Sequence, residues 1–252
     1  MILDAAVRFL CFLCNELRLF RLHLRMRRAF PRLYQLYLAS TQHDPDNYFE
    51  RPNLLIAIEH GDDQLQAIEN DLQRMDEKAW QFLKTGTAPL VTRPDRWGYY
   101  ARLFDHFDEA RGYCYLKEQG YSSIEFVPRI EGVETPDLWG HRADGGILLE
   151  VKMVHESNEE KSYLEQQEKD ARKVEHALSE ALKRKLKSTV SKAADQLRYP
   201  GRKANRRLLL LSVRIDTKSA TTRTHEELNQ FLETIRPSDV EIVHSLKNAF
   251  LL

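Results

Sequence analysis

The middle of the chain holds two segments, the second of them largely apolar, that predict neighbouring strands. Residues 133–140 and 147–154 are joined by a Gly-containing loop at 141–146, the pattern of two strands connected by a turn. The second segment is aliphatic or β-branched except at Glu150 and Lys152. Because strand side chains alternate between the two faces of a sheet, these two charged residues share one face. Their position in an otherwise apolar strand requires an explanation, because an ionised group is rarely buried without a partner.

The rest of the pattern predicts an α/β fold. Apolar positions at three- and four-residue steps predict helices over 62–85, 99–119, 156–198 and 225–235. Aliphatic runs predict further strands over 122–127, 207–216 and 240–244. Residues 54–58 fit either a short strand or the start of a helix. We therefore expect a mixed central sheet of about four or five strands flanked by helices, with an α-helical N-terminal region.

Composition suggests where the chain divides. Residues 86–98 contain two Pro and two Gly, which is typical of a linker. We predict an α-helical N-terminal region over 1–85 and a second domain over 99–252. The N-terminal residues 1–38 are rich in Arg, Leu and Phe, and either helices packed on the domain or a basic amphipathic helix on a membrane surface fits them. The apolar run at 9–14 is too short to span a bilayer, so we expect no stable membrane insertion.

Cysteine content indicates the cellular setting of the protein, whereas its charge content does not identify its function. The 38 basic and 38 acidic residues balance, so net charge identifies no partner. Residues 183–207, however, hold ten Lys or Arg and one acid, which fits contact with phosphates or a solvated helix face. Three Cys do not make a disulfide framework, and Cys11, Cys14 and Cys114 fit packing positions, so we expect a reducing, cytoplasmic setting.

The predicted hairpin gives the charged residues a chemical role. If Asp137 lies across from Glu150, two carboxylates and the ammonium of Lys152 converge, because neighbouring strands lie about 4.8 Å apart. Two adjacent carboxylates repel unless a cation lies between them. A hard divalent ion such as Mg²⁺ prefers oxygen ligands and keeps several waters. Such a site can steady the charge on a phosphoryl group, with Lys152 placed to orient the attacking water.

These residues resemble the PD-(D/E)xK nuclease superfamily, also called restriction-endonuclease-like. Pro136-Asp137, a spacer and Glu150-Val151-Lys152 match its signature, and residues 109–121 are similar to its first core helix, where an acid precedes a strand. The resemblance covers roughly residues 100 to 215. It implies a restriction-endonuclease-like core and a Mg²⁺-dependent hydrolase acting on nucleic acid, with DNA expected and Mn²⁺ as an alternative ion. Asp137, Glu150 and the Val151 carbonyl would bind the metal, Lys152 would assist water, and Glu109 would be a supporting acid.

The resemblance also suggests how the substrate is held. Residues 192–198 are similar to the helix that follows the hairpin in many members, where a Gln and basic residues face the substrate. The predicted nucleic-acid-binding residues are Lys183, Lys185, Lys187, Lys192, Gln196 and Arg198. Two alternatives stay open: Glu150 and Lys152 are an exposed pair on an edge strand, or the fold binds nucleic acid or acts as a scaffold without turnover. A homodimer is also left open.

Overall fold

The computed structural model of the chain describes residues 23–42, 44–95, 100–155, 178–215 and 222–248. The chain divides into two compact units, one up to Ala110 and one from Arg111. This division falls inside the helix Ala101–Glu118, whereas composition placed a boundary at 86–98. Gly86 and Thr87 still belong to the helix Glu77–Thr87, so the linker-like composition begins before that helix ends.

Helices build the N-terminal unit. They are α1 (residues 23–29), α2 (Pro31–Ala39), α3 (Pro52–His60), α4 (Asp63–Arg74), α5 (Glu77–Thr87) and the first part of α6 (Ala101–Glu118). Short 3-10 turns span Tyr48–Glu50 and Ala88–Leu90. Residues 54–58 therefore belong to a helix. Pro52 in the first turn of α3 and the left-handed Gly61 (φ 70°) after it mark its two ends.

The single helix predicted over 62–85 is wrong, because the chain breaks between α4 and α5. Met75 is extended (φ −69°, ψ 144°) and ends α4. The carboxylate of Asp76 then accepts a 2.8 Å hydrogen bond from the backbone N–H of Ala79 and so begins α5 as its N-cap. Apolar spacing continues unchanged across the break, so periodicity alone did not reveal it.

A buried carboxylate links two helices of this unit. Glu69 on α4 is fully buried, and its two oxygens accept hydrogen bonds of 2.9 Å from the backbone N–H groups of Arg32 and Leu33. Those N–H groups lie in the first turn of α2, where no partner exists within the helix. Gln73 donates a further hydrogen bond of 2.7 Å to the same carboxylate. Glu69 thus caps α2 from a neighbouring helix.

A five-stranded mixed sheet forms the centre of the second unit, which confirms the predicted architecture. The strands are β1 (Ser123–Phe126), β2 (Leu138–Arg142), β3 (Gly145–His155), β4 (Arg206–Ile215) and β5 (Glu241–Asn248), in the spatial order β1-β2-β3-β4-β5. The pairs β1–β2 and β2–β3 are antiparallel, and β3–β4 and β4–β5 are parallel. The parallel pairs require crossovers, which contain the helices α7 (Glu180–Leu197) and α8 (Thr222–Ile235).

Helices cover both faces of this sheet. On one face, Leu148 and Val154 of β3 belong to an apolar cluster that also contains the buried stripe of α7 and Leu228 and Leu232 of α8. On the other face, α6 approaches β3 closely at Gly112. A Cβ atom there would lie 2.8 Å from Val151 Cγ2 and 3.1 Å from a methyl group of Leu149, so only glycine fits. The alternation predicted for β3 is therefore observed.

Strand β2 is displaced from the predicted segment. It begins at Leu138, not near residue 133, and it extends to Arg142, so the predicted six-residue loop shrinks to a tight turn. Before β2 the chain loops out, with a left-handed Gly132 (φ 75°) and an isolated bridge between Ile130 and Val133. Proline lacks the N–H that a strand ladder needs, which explains why pairing does not continue back through Pro136.

Several predictions fall on residues outside those ranges. Cys11, Cys14 and the apolar run 9–14 lie there, and so does most of the stretch behind the membrane-surface interpretation. The long helical stretch predicted over 156–198 is described only from Leu178. Cys114 is a buried, free thiol on α6, as packing predicts. Among the helices that the structure describes, none is long and apolar enough to cross a membrane.

The Glu69 cap gives a stability prediction. Glu69→Ala should lower the free energy of unfolding by roughly 2–4 kcal/mol, because two N–H groups of α2 lose their acceptor in a buried place. Urea denaturation followed by circular dichroism measures this change. The matched control is Glu77→Ala, which removes an exposed partner of Arg32 (3.0 Å) and should leave stability almost unchanged. Equal effects of the two substitutions would contradict the capping role.

Candidate functional site

The strand register brings the predicted acids together. Leu138 on β2 lies opposite Leu149 on β3 in an antiparallel pair. Continued by one residue, this register would set Asp137 opposite Glu150, and the hydrogen bond between the Asp137 N–H and Glu150 Oε2 shows that the two residues lie side by side. Leu138 and Leu149 face α6, so the alternation directs Asp137 and Glu150 to the opposite face, where α7 packs.

Hydrogen bonds and an ion pair hold these groups in place. The Asp137 carboxylate accepts a 2.8 Å hydrogen bond from the backbone N–H of Val151. The backbone N–H of Asp137 in turn donates to Glu150 Oε2 at 3.1 Å. Glu150 Oε1 forms an ion pair with the ammonium of Lys152. Asp137, Glu150 and Lys152 therefore form one connected cluster, called the acid–lysine cluster below.

Access to the cluster is one-sided. The side chain of Glu150 is 0% exposed, whereas that of Lys152 is 30% exposed. Asp137 is half-buried, and the preceding Pro136 is buried. Solvent or a ligand thus reaches the cluster from the side of Lys152 and Asp137. The alternative of an exposed charged pair on an edge strand is wrong, because β3 is the central strand of the sheet.

The cluster shifts the protonation of both acids in the same direction. Burial, followed by the charge of Asp137, raises the pKa of Glu150 from 4.5 to about 8, although Lys152 opposes the shift. Burial also raises the pKa of Asp137, with opposition from the Val151 N–H and from the charges of Lys152 and Arg129. Two acids that resist ionisation side by side would be relieved by a cation between them.

Three oxygen ligands are available to such a cation. Besides the two carboxylates, the carbonyl of Val151 points toward the β2 side, because its N–H bonds Asp137 and the two groups of one strand residue point the same way. Mg²⁺ tolerates so few protein ligands, because it keeps several waters. Within the described ranges, the cluster included, no group of three or more His, Cys, Asp or Glu side chains is placed to hold a metal ion, so a cation here would depend on two carboxylates, a carbonyl and waters.

Helix α7 brings part of the predicted substrate-binding set to the cluster. Gln196 donates a 3.1 Å hydrogen bond from Nε2 to the carbonyl of Thr135, two residues before Asp137. Lys185 donates a 2.8 Å hydrogen bond to the carbonyl of His155 at the end of β3. Lys185, Lys192 and Gln196 are spaced seven and four residues apart, so they share one flank of α7. This flank runs beside β3 past the cluster.

The other predicted basic residues lie elsewhere. Lys183 pairs with Glu180 and with Glu227 at 3.0 Å, which places it on the α8 side of α7. Lys187, one turn later, shares that second flank. Arg198 forms two hydrogen bonds with the carboxylate of Asp239, at 3.2 and 3.3 Å. Lys183 and Arg198 are thus in ion pairs within the unit, and the binding role of these residues stays a prediction.

Glu109 and three further residues also bear on the site. Glu109 is half-buried on α6, in the part of the helix assigned to the N-terminal unit, and its role as a supporting acid stays a prediction. Sequence reasoning missed Arg129, whose charge acts on Asp137. It also missed Trp139 and Arg202, which contact each other with the guanidinium over the indole ring. For Trp139 a signal existed, since it lies two residues after Asp137 on a strand.

The fold and the acid–lysine cluster together define a class of protein. It is an α/β protein whose mixed sheet carries two carboxylates and a lysine at the open end of the β2–β3 hairpin. Comparison of the chain with protein-family models, with curated proteins and with solved structures found no match. The resemblance to the PD-(D/E)xK superfamily therefore rests on the residues and on their geometry.

The raised pKa values predict a pH dependence of stability without divalent ions. Below pH 4.5 Glu150 is protonated in both folded and unfolded chains. Between pH 4.5 and about 8 the unfolded chain loses this proton while the folded chain keeps it, so stability should fall as pH rises. The slope is at most about 1.4 kcal/mol per pH unit for each proton retained. Denaturation curves from pH 4 to 9 in chelator measure it.

Glu150→Gln provides the comparison, because it removes the titrating group and keeps the shape of the side chain. Its stability should fall less steeply with pH than that of the parent protein. Adding Mg²⁺ or Mn²⁺ at pH 8 should raise the melting temperature of the parent and not of the variant. Parallel pH curves for the two proteins would contradict the assigned environment of Glu150.

Proposed function

We propose that this protein is a metal-dependent nuclease that hydrolyses phosphodiester bonds in nucleic acid, with DNA as the expected substrate. The observation that carries the proposal is the acid–lysine cluster, in which hydrogen bonds join Asp137 to Glu150 and to Val151 and an ion pair joins Glu150 to Lys152. A lysine and two carboxylates at one end of a hairpin are the groups that the PD-(D/E)xK resemblance requires. The mixed sheet that carries them agrees with that resemblance.

Each residue of the cluster has a distinct task. Asp137, Glu150 and the Val151 carbonyl would hold Mg²⁺, or Mn²⁺ in its place, and the ion would supply Lewis-acid polarisation and offset charge on the phosphate. The Val151 N–H fixes the Asp137 carboxylate at 2.8 Å, so that carboxylate is oriented before any ligand arrives. Lys152 reaches solvent and can donate a hydrogen bond that orients the attacking water. Glu109 is proposed as a supporting acid.

The flank of α7 that passes the cluster would hold the substrate. Lys185 and Lys192 place positive charge along it, and Gln196 adds an amide beside Thr135. Contacts of this kind with phosphate oxygens fix the register of a nucleic acid without reading its sequence. Lys183, Lys187 and Arg198 were also predicted to bind nucleic acid, but the ion pairs of Lys183 and Arg198 favour a structural role for that side.

A second candidate is a nucleic-acid-binding or scaffold protein on the same fold without turnover. One observation favours it: both oxygens of Glu150 already have partners, the Asp137 N–H and the Lys152 ammonium. A cation would have to share or displace Lys152. The two candidates differ in whether divalent ions bind at the cluster and whether the backbone of bound nucleic acid is cut.

Removal of either acid tests the proposed catalysis. Asp137→Asn and Glu150→Gln should each lower Mg²⁺-dependent cleavage at least about 100-fold, because the cation loses a charged ligand. Lys152→Ala should lower turnover far more than substrate binding, and Lys152→Arg should not rescue it, because a planar guanidinium differs from a compact ammonium. Cleavage of labelled single-stranded and duplex DNA and RNA, followed on denaturing gels, measures these effects.

Asp144→Asn is the matched control, since Asp144 lies on the same hairpin but pairs with Arg142 in the turn. It should keep full activity. If Asp137→Asn and Glu150→Gln cleave as well as Asp144→Asn does, the cluster is not the catalytic site. If the parent protein binds nucleic acid without cutting any of the four substrates, the second candidate is supported.

The two flanks of α7 give an independent test of substrate binding. Lys185→Gln with Lys192→Gln should weaken nucleic-acid binding and flatten its salt dependence. Each lost phosphate contact removes about 0.9 from the log–log slope on duplex DNA and about 0.7 on single strands. Lys183→Gln with Lys187→Gln makes the same charge change on the other flank and should leave the slope almost unchanged. A larger effect from the second pair would place the substrate on the α8 side.

A further inference from the structure

Two aromatic residues of β2 lie on the sheet face that carries the acid–lysine cluster. Asp137, Trp139 and His141 alternate along the chain, so they point to the same face at a spacing of about 6.8 Å. Trp139 packs against the apolar cluster of that face, which agrees with this direction. The rings of Trp139 and His141 lie 5.9 Å apart and are tilted by 32°. A row of two aromatic rings thus begins two residues from Asp137.

Basic residues from the loop after α7 lie over this row. The guanidinium of Arg202 lies over the indole of Trp139, 4.9 Å from the ring centroid, within the range of a cation–π contact. The indole N–H of Trp139 donates a 3.3 Å hydrogen bond to the carbonyl of Lys203. A Cβ at Gly146 would lie 2.5 Å from that carbonyl, so glycine allows the loop to approach the hairpin.

This surface is open to a ligand. The side chain of Arg202 is 40% exposed, Trp139 is half-buried, and His141 is exposed. Glu125 on β1 holds Arg202 from one side at 2.8 Å, which orients the guanidinium. The indole of Trp139 keeps part of its surface exposed, and nucleobases stack both on aromatic rings and on guanidinium planes. Only an unpaired base can stack on the ring of Trp139, because the faces of bases in a duplex are covered by their neighbours.

We propose that Trp139, Arg202 and His141 form a stacking platform for unpaired nucleobases, so that the protein takes single-stranded or splayed nucleic acid. This inference rests on the proposed function, because it places the stacked bases next to a phosphate at the acid–lysine cluster. The spacing of residues along one face of β2 is close to that of successive nucleotides in an extended strand. The platform binds by stacking and carries no base-specific hydrogen bonds, so little sequence preference is expected.

Binding without cleavage separates this inference from the nuclease proposal. We would measure fluorescence anisotropy of a labelled single-stranded 12-mer, as DNA and as RNA, and of a blunt duplex of the same sequence, in chelator. Trp139→Leu and Arg202→Gln should each weaken binding of the single strands roughly 5- to 100-fold, the loss expected for one stacked base. Duplex binding should change less than about twofold, because its bases are covered.

Arg142→Gln is the matched control for charge. Arg142 also lies over an aromatic ring, that of Tyr121 at 4.7 Å, and also pairs with an acid, but strand alternation directs it to the face opposite that of Trp139 and His141. It should bind the single strands like the parent protein. Trp80→Phe, in the N-terminal unit, is the control for the indole and should retain the fluorescence quenching that a single strand causes, whereas Trp139→Leu should lose it.

The outcomes distinguish the two proposals. Equal losses on single strand and duplex in Trp139→Leu and Arg202→Gln, or no loss, would overturn the platform and leave the nuclease proposal standing. Selective loss on single strands in proteins that never cleave would support the platform and reject the nuclease. Arg202→Gln keeps the test valid if Trp139→Leu is unfolded by circular dichroism, since the exposed guanidinium contributes little to the core.

Discussion

Two carboxylates lie side by side on neighbouring strands of a sheet that helices cover on both faces, and this placement constrains much of the second unit. Glu150 is fully enclosed and Asp137 is half-buried, so bulk water does not reach the first carboxylate and solvates the second only in part. The protein responds with a backbone N–H for each acid and with the ammonium of Lys152. The remaining electrostatic cost raises the pKa of both groups. A structure needing only stability would be served by apolar side chains here.

Helix α7 has two roles that depend on its orientation. Its apolar stripe packs against β3 and β4 and closes one face of the sheet. Because this packing fixes the rotation of α7 about its axis, the helical period places Lys185, Lys192 and Gln196 on one flank. It places Lys183 and Lys187 on the other flank. Glu227 then neutralises Lys183 near the start of α7, and Asp239 neutralises Arg198 at its end. A basic segment that is continuous in sequence becomes two surfaces with different partners.

The acid–lysine cluster and the Trp139 row are neighbours because Asp137 directly precedes β2, the strand that carries Trp139. Asp137 ends the looped segment that Pro136 keeps out of the ladder, and Trp139 follows within the strand. The loop after α7 reaches over the hairpin at Gly146, where a larger residue would collide with the carbonyl of Lys203. The site therefore depends on backbone positions that only glycine or proline fit, in addition to its charged residues.

The sequence by itself determined the α/β class, the core strands and the face on which Glu150 and Lys152 lie, because apolar periodicity is a local property of the chain. It also indicated Asp137 as the partner of Glu150, since a hairpin pairs residues that are close in sequence. Two departures from the predicted elements, the break at Asp76 and the late start of β2 after Pro136, follow local signals that the apolar pattern does not contain. Only the tertiary structure decided the contact of Gln196 with Thr135 and the division of the basic segment. Those features depend on partners distant in the chain, such as Glu227 and Asp239, which no local pattern specifies.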